Sequence, residues 1–136
     1  MIGREAGPGT SGARVILAYG ESELRTALAE HLRGCGFEVI EAANSDEALA
    51  ALKEVDGAED TLLCDVAIPG TIGGFSLSIE ARDRELRVVL TGSLPGAVEA
   101  AVELCQLGPQ RSEGGDAAAL IEWIRQALAT RAAAVD

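Results

Sequence analysis

Positive charge is scarce in this chain. Eleven Lys and Arg stand against 22 Asp and Glu, for a formal net charge of −11, and lysine occurs once, at Lys53. A protein that grips nucleic acid needs a basic footprint to displace counterions from phosphates, so no nucleic-acid partner is expected. Anionic membrane surfaces repel such a chain for the same reason. The acid excess suits solubility or a basic protein partner. Aromatics make up 3% of the residues, which leaves Leu, Val, Ile and Ala to fill a core. That composition favours helices packed on a parallel sheet over an aromatic-rich β-sandwich. The cysteines, Cys35, Cys64 and Cys105, are odd in number and lack metal-ligand spacing. Each lies in or beside an apolar stretch, so free thiols in a reducing cytosol are expected. No run approaches the roughly 18 apolar residues of a membrane span. The N-terminus carries no apolar signal-peptide core. The expected location is therefore cytoplasmic.

What is present is a strong alternation of apolar patterns. A length of 136 residues with 48% hydrophobic content fits one domain with a sizeable core. Residues 1–13 read as a flexible Gly-rich tail, 14–129 as the domain and 130–136 as a second tail. Val15-Ile16-Leu17-Ala18 is a short apolar run of the kind buried on both faces of a sheet. Leu24, Leu28 and Leu32 follow at helical spacing, with Gly34 or Gly36 placed to end that helix. Phe37 to Ala42 alternates like a strand nearer an edge. Asn44 with Glu47 resembles a capping box ahead of a short helix through Ala48, Leu49 and Leu52. Thr61 to Val66 reads as a buried strand ending on a carboxylate, residues 69–74 as a loop, and Phe75 to Arg84 as a third helix. Arg87 to Thr91 reads as a fourth strand and Pro95 to Ala101 as a short, weak helix. Val102 to Leu107 reads as a fifth apolar segment, stopped by Gly108-Pro109. A last helix is capped by Asp116 and striped by Leu120, Trp123, Ile124, Ala127 and Leu128.

Five alternations of strand and helix predict a parallel sheet covered on both faces by right-handed crossovers. In such folds function gathers in the crevice at the carboxyl ends of the strands. The loops at Tyr19 to Glu21, Asp65 to Pro69, Thr91 to Ser93 and Leu107 to Pro109 are therefore the ones to read. Neither residues 70–74 nor Gly114-Gly115 has the spacing of a phosphate-binding or dinucleotide-binding loop.

Those loops resemble the receiver domain of bacterial response regulators, over roughly residues 14–128. Leu62-Leu63-Cys64-Asp65-Val66-Ala67-Ile68-Pro69-Gly70, with Gly74 behind it, is similar to the family's apolar strand, acceptor Asp and Pro-Gly loop. Val88-Val89-Leu90-Thr91-Gly92 is similar to its strand ending on Thr or Ser, and Pro109 to its late proline. The resemblance implies a flavodoxin-like doubly wound (βα)5 sandwich with a five-stranded parallel sheet in the order 2-1-3-4-5. It implies Asp65 as phosphoacceptor and Thr91 as the hydroxyl that senses the phosphate. Glu21, Asp65 and the Ala67 carbonyl are then the candidate metal ligands.

The sequence departs from that pattern where the chemistry needs charge. Tyr19-Gly20 stands in place of the family's acidic pair, Gly108 in place of its lysine, and Cys105 in place of its switching aromatic. Because Lys53 belongs to the second helix, no lysine can serve after the fifth strand; Arg111 is a weak substitute. An aspartyl phosphate brings about −1.5 to −2 charges into a partly desolvated pocket, and hard divalent ions want carboxylate oxygens. The expectation is a stand-alone, non-enzymatic, degenerate receiver with impaired phosphorylation. It needs no cofactor, holds Mg²⁺ weakly at best, and binds a histidine kinase, another signalling protein or a copy of itself. The alternatives are a working phospho-receiver that uses Asp65 and a small flavin-binding protein; the latter lacks aromatics for stacking.

Other residues carry simpler expectations. Asp65 could serve only to cap its loop, and Glu21 to complement a helix dipole. Tyr19 fills the space left by the missing acids, with its hydroxyl placed to reach Asp65. His31 is expected on the surface, and Cys64 and Cys105 in the core on non-adjacent strands. Trp123 belongs to a core-facing stripe on a helix of the kind receivers use to dimerise.

Overall fold

The computed structural model describes residues 14–55 and 59–107. In chain order these are β1 (Arg14–Ala18), α1 (Ser22–Gly34), β2 (Glu38–Ala42), α2 (Ser45–Leu52), β3 (Thr61–Asp65), α3 (Gly74–Asp83), β4 (Arg87–Thr91) and α4 (Leu94–Leu107). The strands form one parallel sheet in the order β2-β1-β3-β4. That is the expected strand order as far as β4.

Side-chain alternation along each strand divides the core in two. Val15, Leu17 and Leu63 face the layer that holds Leu24, Leu28 and Leu32 of α1 and Ala97, Ala101 and Leu104 of α4. Ile16, Ala18, Leu62 and Cys64 face Ala48 and Leu52 of α2 and Leu77 and Ala81 of α3. Both faces of β1 are sealed, which is why its sequence is an unbroken apolar run. Full burial of a side chain such as Leu28 contributes roughly 1.5–3 kcal/mol.

Local signals set the ends of the helices. Asn44 Oδ1 accepts from Glu47 N–H at 2.8 Å, capping α2, and Glu47 Oε1 accepts in return from Ala43 N–H at 2.7 Å. The return bond of the expected capping box is thus displaced by one residue. After α1 it is Gly36 that turns left-handed, with φ 98°. Ser93 Oγ accepts from Gly96 N–H at 3.1 Å at the start of α4. Pro95 falls in the first turn, where its missing N–H leaves nothing unpaired.

The chain departs from expectation after Ser93. The short helix expected at 95–101 and the strand expected at 102–107 are one helix, α4. Ala97, Ala101, Leu104 and Cys105 recur at helical spacing and are all buried. No glycine or proline interrupts the run between them. A short apolar run does not distinguish strand from buried helix by composition, and here continuity with the preceding turns decides for helix. Cys105 therefore sits on α4, not at the place of a switching aromatic on a fifth strand. Gly108, Pro109, Arg111, Gly114-Gly115, Asp116 and the Trp123 stripe lie outside the described residues. No helix of the described residues is long and apolar enough to cross a membrane.

The cysteines also depart from expectation. Cys35 and Cys105 are joined in a disulfide with Cα atoms 5.4 Å apart, and Cys64 alone is a free, buried thiol. The bridge ties the end of α1 to the last turns of α4, a sequence separation of 70. A thiol at the C-cap of α1 and one on α4, packed against α1, fall within disulfide reach once α4 is helical through residue 105.

Candidate functional site

The carboxyl ends of β1, β3 and β4 bring together three residues singled out in the sequence. Asp65 ends β3 and pairs in register with Thr91, which ends β4. Tyr19 follows β1 directly and is 2% exposed, within the core layer under α1 and α4. The Tyr19 hydroxyl and Thr91 Oγ1 are hydrogen-bonded at 2.5 Å. The tyrosine thus reaches Thr91, and not Asp65 as the sequence suggested. The step is one strand further across the sheet, because Tyr19 leaves β1 on the same face as the last residue of β4.

This bond engages the one polar side-chain group of Thr91, a residue 8% exposed. It also fixes the electrostatics of Tyr19. Burial pushes the phenol well above its ordinary pKa; the bond to Thr91 opposes that shift, and the Asp65 charge, followed by Cys64, adds to it. The phenol is neutral at any physiological pH. A carboxylate in its place would instead carry charge into the crevice.

Asp65 is half-exposed and its carboxylate is turned to its own loop: Oδ1 accepts from Ala67 N–H at 3.0 Å. The Asp65 carbonyl closes the turn by accepting from Ile68 N–H at 3.0 Å. This is the loop-capping geometry, and among the described residues it uses one of the two carboxylate oxygens. Ala67, the candidate backbone ligand, is exposed on that same turn. Val66 N–H is held by the Thr91 carbonyl at 2.9 Å, so the loop after β3 is anchored to the end of β4.

Glu21 stands at the N-cap position of α1 without a side-chain cap bond, and its carbonyl accepts from Arg25 N–H at 2.9 Å. Gly20 is exposed, but a Cβ there would lie 2.9 Å from Pro69 Cδ and 3.1 Å from Cγ. The loop after β3 therefore crowds the position at which a second acid would stand. Lys53, the single lysine, is exposed at the C-cap of α2. Arg25 bonds the Tyr19 carbonyl through Nη1 at 2.7 Å and Glu41 through Nε at 3.2 Å. Its charge is used behind the crevice, between α1 and β2.

A second cluster was not foreseen. His31 is half-buried, not on the open surface, and its Nε2 lies 3.4 Å from Cys105 Sγ. Among the described residues, His31, Cys35 and Cys105 are the group of three metal-ligating side chains, with ligand atoms within 4.8 Å of one another. The spacing of His31 and Cys35, four residues apart across the end of α1, was a usable signal. The third member became visible only once residues 102–107 proved helical.

The sequence matches no protein-family profile and no curated protein. Among solved structures it matches the receiver domain from the hybrid histidine kinase CckA, with a TM-score of 0.53 and 28% identity, over 68% of this chain and 99% of that one. In fold and in sequence, then, the chain is similar to a receiver domain.

Proposed function

We propose that this chain is an atypical receiver domain that acts in two-component signal transduction through protein contacts, with metal-dependent phosphorylation at Asp65 impaired. The observation that carries the reading is the buried bond between Tyr19 and Thr91. An acidic pair at this place would help hold a divalent ion; a neutral phenol does not. The hydroxyl that would meet a phosphate oxygen is already engaged. Phosphoryl transfer onto a carboxylate is mostly positioning and charge neutralisation. Here Lys53 lies at the end of α2 and Arg25 is committed to Tyr19 and Glu41. No catalytic activity of its own is assigned. The partner is a histidine kinase or another signalling protein in the cytoplasm, or a second copy of the chain.

The test is incubation with acetyl phosphate and Mg²⁺ followed by intact-mass analysis. The expected result is no phosphoryl adduct. A second reading, a working phospho-receiver, is favoured by the half-exposed Asp65 paired with Thr91 at the strand tips. A phosphoryl adduct on the wild type that is missing from Asp65→Asn would establish it and overturn the first.

A further inference from the structure

The cluster of His31, Cys35 and Cys105 lies on the face of the sheet covered by α1 and α4 and has no part in the crevice chemistry. His31 lies in the last turn of α1 and Cys35, four residues on, is its C-cap. Cys105 comes from α4, packed against α1. Cys35 is fully buried, Cys105 is 6% exposed, and His31 is the member nearest solvent. Joined as a disulfide, the two sulfurs need no further partner. A cytosolic thiol pool, however, keeps such pairs reduced. Reduction by two molecules of a low-molecular-weight thiol delivers two electrons and two protons, and the reductant leaves as its own disulfide. Two buried thiols and an imidazole then remain in one place, and that is the donor set of a soft metal ion.

We propose that the reduced protein binds one Zn²⁺ through His31, Cys35 and Cys105, a site that disulfide formation closes. The geometry fits. Around tetrahedral zinc, with Zn–S of about 2.3 Å and Zn–N of about 2.0 Å, a sulfur and a nitrogen ligand lie about 3.5 Å apart. His31 Nε2 and Cys105 Sγ are 3.4 Å apart. The sulfurs of Cys35 and Cys105 must separate from bonding distance to ligand spacing, which rotation of two short side chains supplies with the backbone 5.4 Å apart at Cα. Charge fits too. Two buried thiolates are costly alone, and a divalent cation neutralises both as it displaces their protons. Three protein ligands leave the fourth position to water, on the side where His31 meets solvent. The ion would clamp α1 to α4 under reducing conditions, as the disulfide does under oxidising ones. Cys64, buried in the other core layer, takes no part.

The test uses the full chain, reduced with a phosphine under anaerobic conditions and titrated with Co²⁺ as the optical probe. The expected result is saturation at one equivalent, with thiolate-to-cobalt charge transfer and tetrahedral ligand-field bands, both bleached by Zn²⁺. Cys64→Ser binds as the wild type does. Cys105→Ser loses the charge-transfer intensity, and His31→Gln weakens binding by at least the roughly 10- to 100-fold that loss of even an outer partner costs. The oxidised wild type takes up no Co²⁺. Failure of the reduced wild type to bind Co²⁺ shows the cluster to be core thiols only and overturns the proposal. So does equal uptake by the oxidised form. Both decisive arms use the unsubstituted chain, so a folding defect in a variant does not obscure the outcome.

Discussion

Tyr19 and Thr91, the residue after β1 and the last residue of β4, share a buried hydrogen bond of 2.5 Å across the carboxyl edge of the sheet. β3 runs between them, so the bond bridges over Asp65. It makes the strand tip a packed, neutral joint where a charge-handling site would keep its groups apart. The end of β1 and the end of β4 are thereby mechanically coupled.

That coupling is measurable. Tyr19→Phe removes one partner and leaves the Thr91 hydroxyl buried, which should cost about 1–3 kcal/mol. Thr91→Val should cost a similar amount by stranding the phenol. The double variant should cost less than the sum, by on the order of 1 kcal/mol, because the second change removes a group already without its partner. Urea unfolding of the four proteins gives the cycle. Additive losses would mean that the bond contributes nothing in solution.

Gly20 offers a second test. Added side chains there meet the ring of Pro69, while replacing glycine ordinarily stabilises by about 0.4–1 kcal/mol where the backbone allows it. Gly20→Ala should therefore destabilise the wild type by about 1 kcal/mol, the order of mild overpacking. In a Pro69→Ala background the same change should be neutral or stabilising. Thermal unfolding of the two pairs decides it. An equal loss in both backgrounds would place the conflict elsewhere than the proline ring.

Much of this arrangement was legible in the sequence, and what was not has a physical reason. The sealed strand β1 could be read because burial on both faces demands an unbroken apolar run. The cap of α2 could be read because Asn44 and Glu47 act within one turn. Asp65 beside Thr91 followed from the strand order. The partner of Tyr19 could not be read, because which hydroxyl a buried phenol meets depends on strand spacing and not on the local sequence. Residues 102–107 misled because Val, Leu and Cys suit a buried helix as well as a buried strand. That single error hid both the disulfide and the neighbourhood of His31, since each requires Cys105 on a helix facing α1.

The disulfide predicts its own chemistry. Alkylation in denaturant without reductant should add one group per chain, at Cys64, and after reduction three. Closing a 70-residue separation should stabilise the oxidised protein over the metal-free reduced one by about 4 kcal/mol in the chain-entropy view. Paired urea curves with and without phosphine reductant, in the presence of chelator, measure this. Three alkylated groups without reductant would show that the pair stays as thiols.

Alkaline pH should unfold the protein through two groups at the strand tips. Burial, with the Asp65 charge second, pushes the Cys64 thiol up from 9.0 to about 12. Burial likewise raises Tyr19 from its ordinary 10.0, against the opposing bond to Thr91. In both cases the folded pKa lies above the unfolded one, so the unfolded chain releases its proton first. The stability tied to each group is therefore complete below its unfolded pKa and declines as pH rises toward the folded one. Cys64 acts from about pH 9 to pH 12 and Tyr19 from about pH 10 upward, each at roughly 1.4 kcal/mol per pH unit once its unfolded form is ionised. Urea midpoints should be insensitive to these groups between pH 7 and pH 8 and fall steeply beyond pH 9.5. Cys64→Ala should remove the first part of the decline and leave an onset near pH 10, which Tyr19→Phe should remove in turn. A wild type whose stability is flat to pH 11 would mean that these side chains are open to water, and the buried bond between Tyr19 and Thr91 would be lost with them.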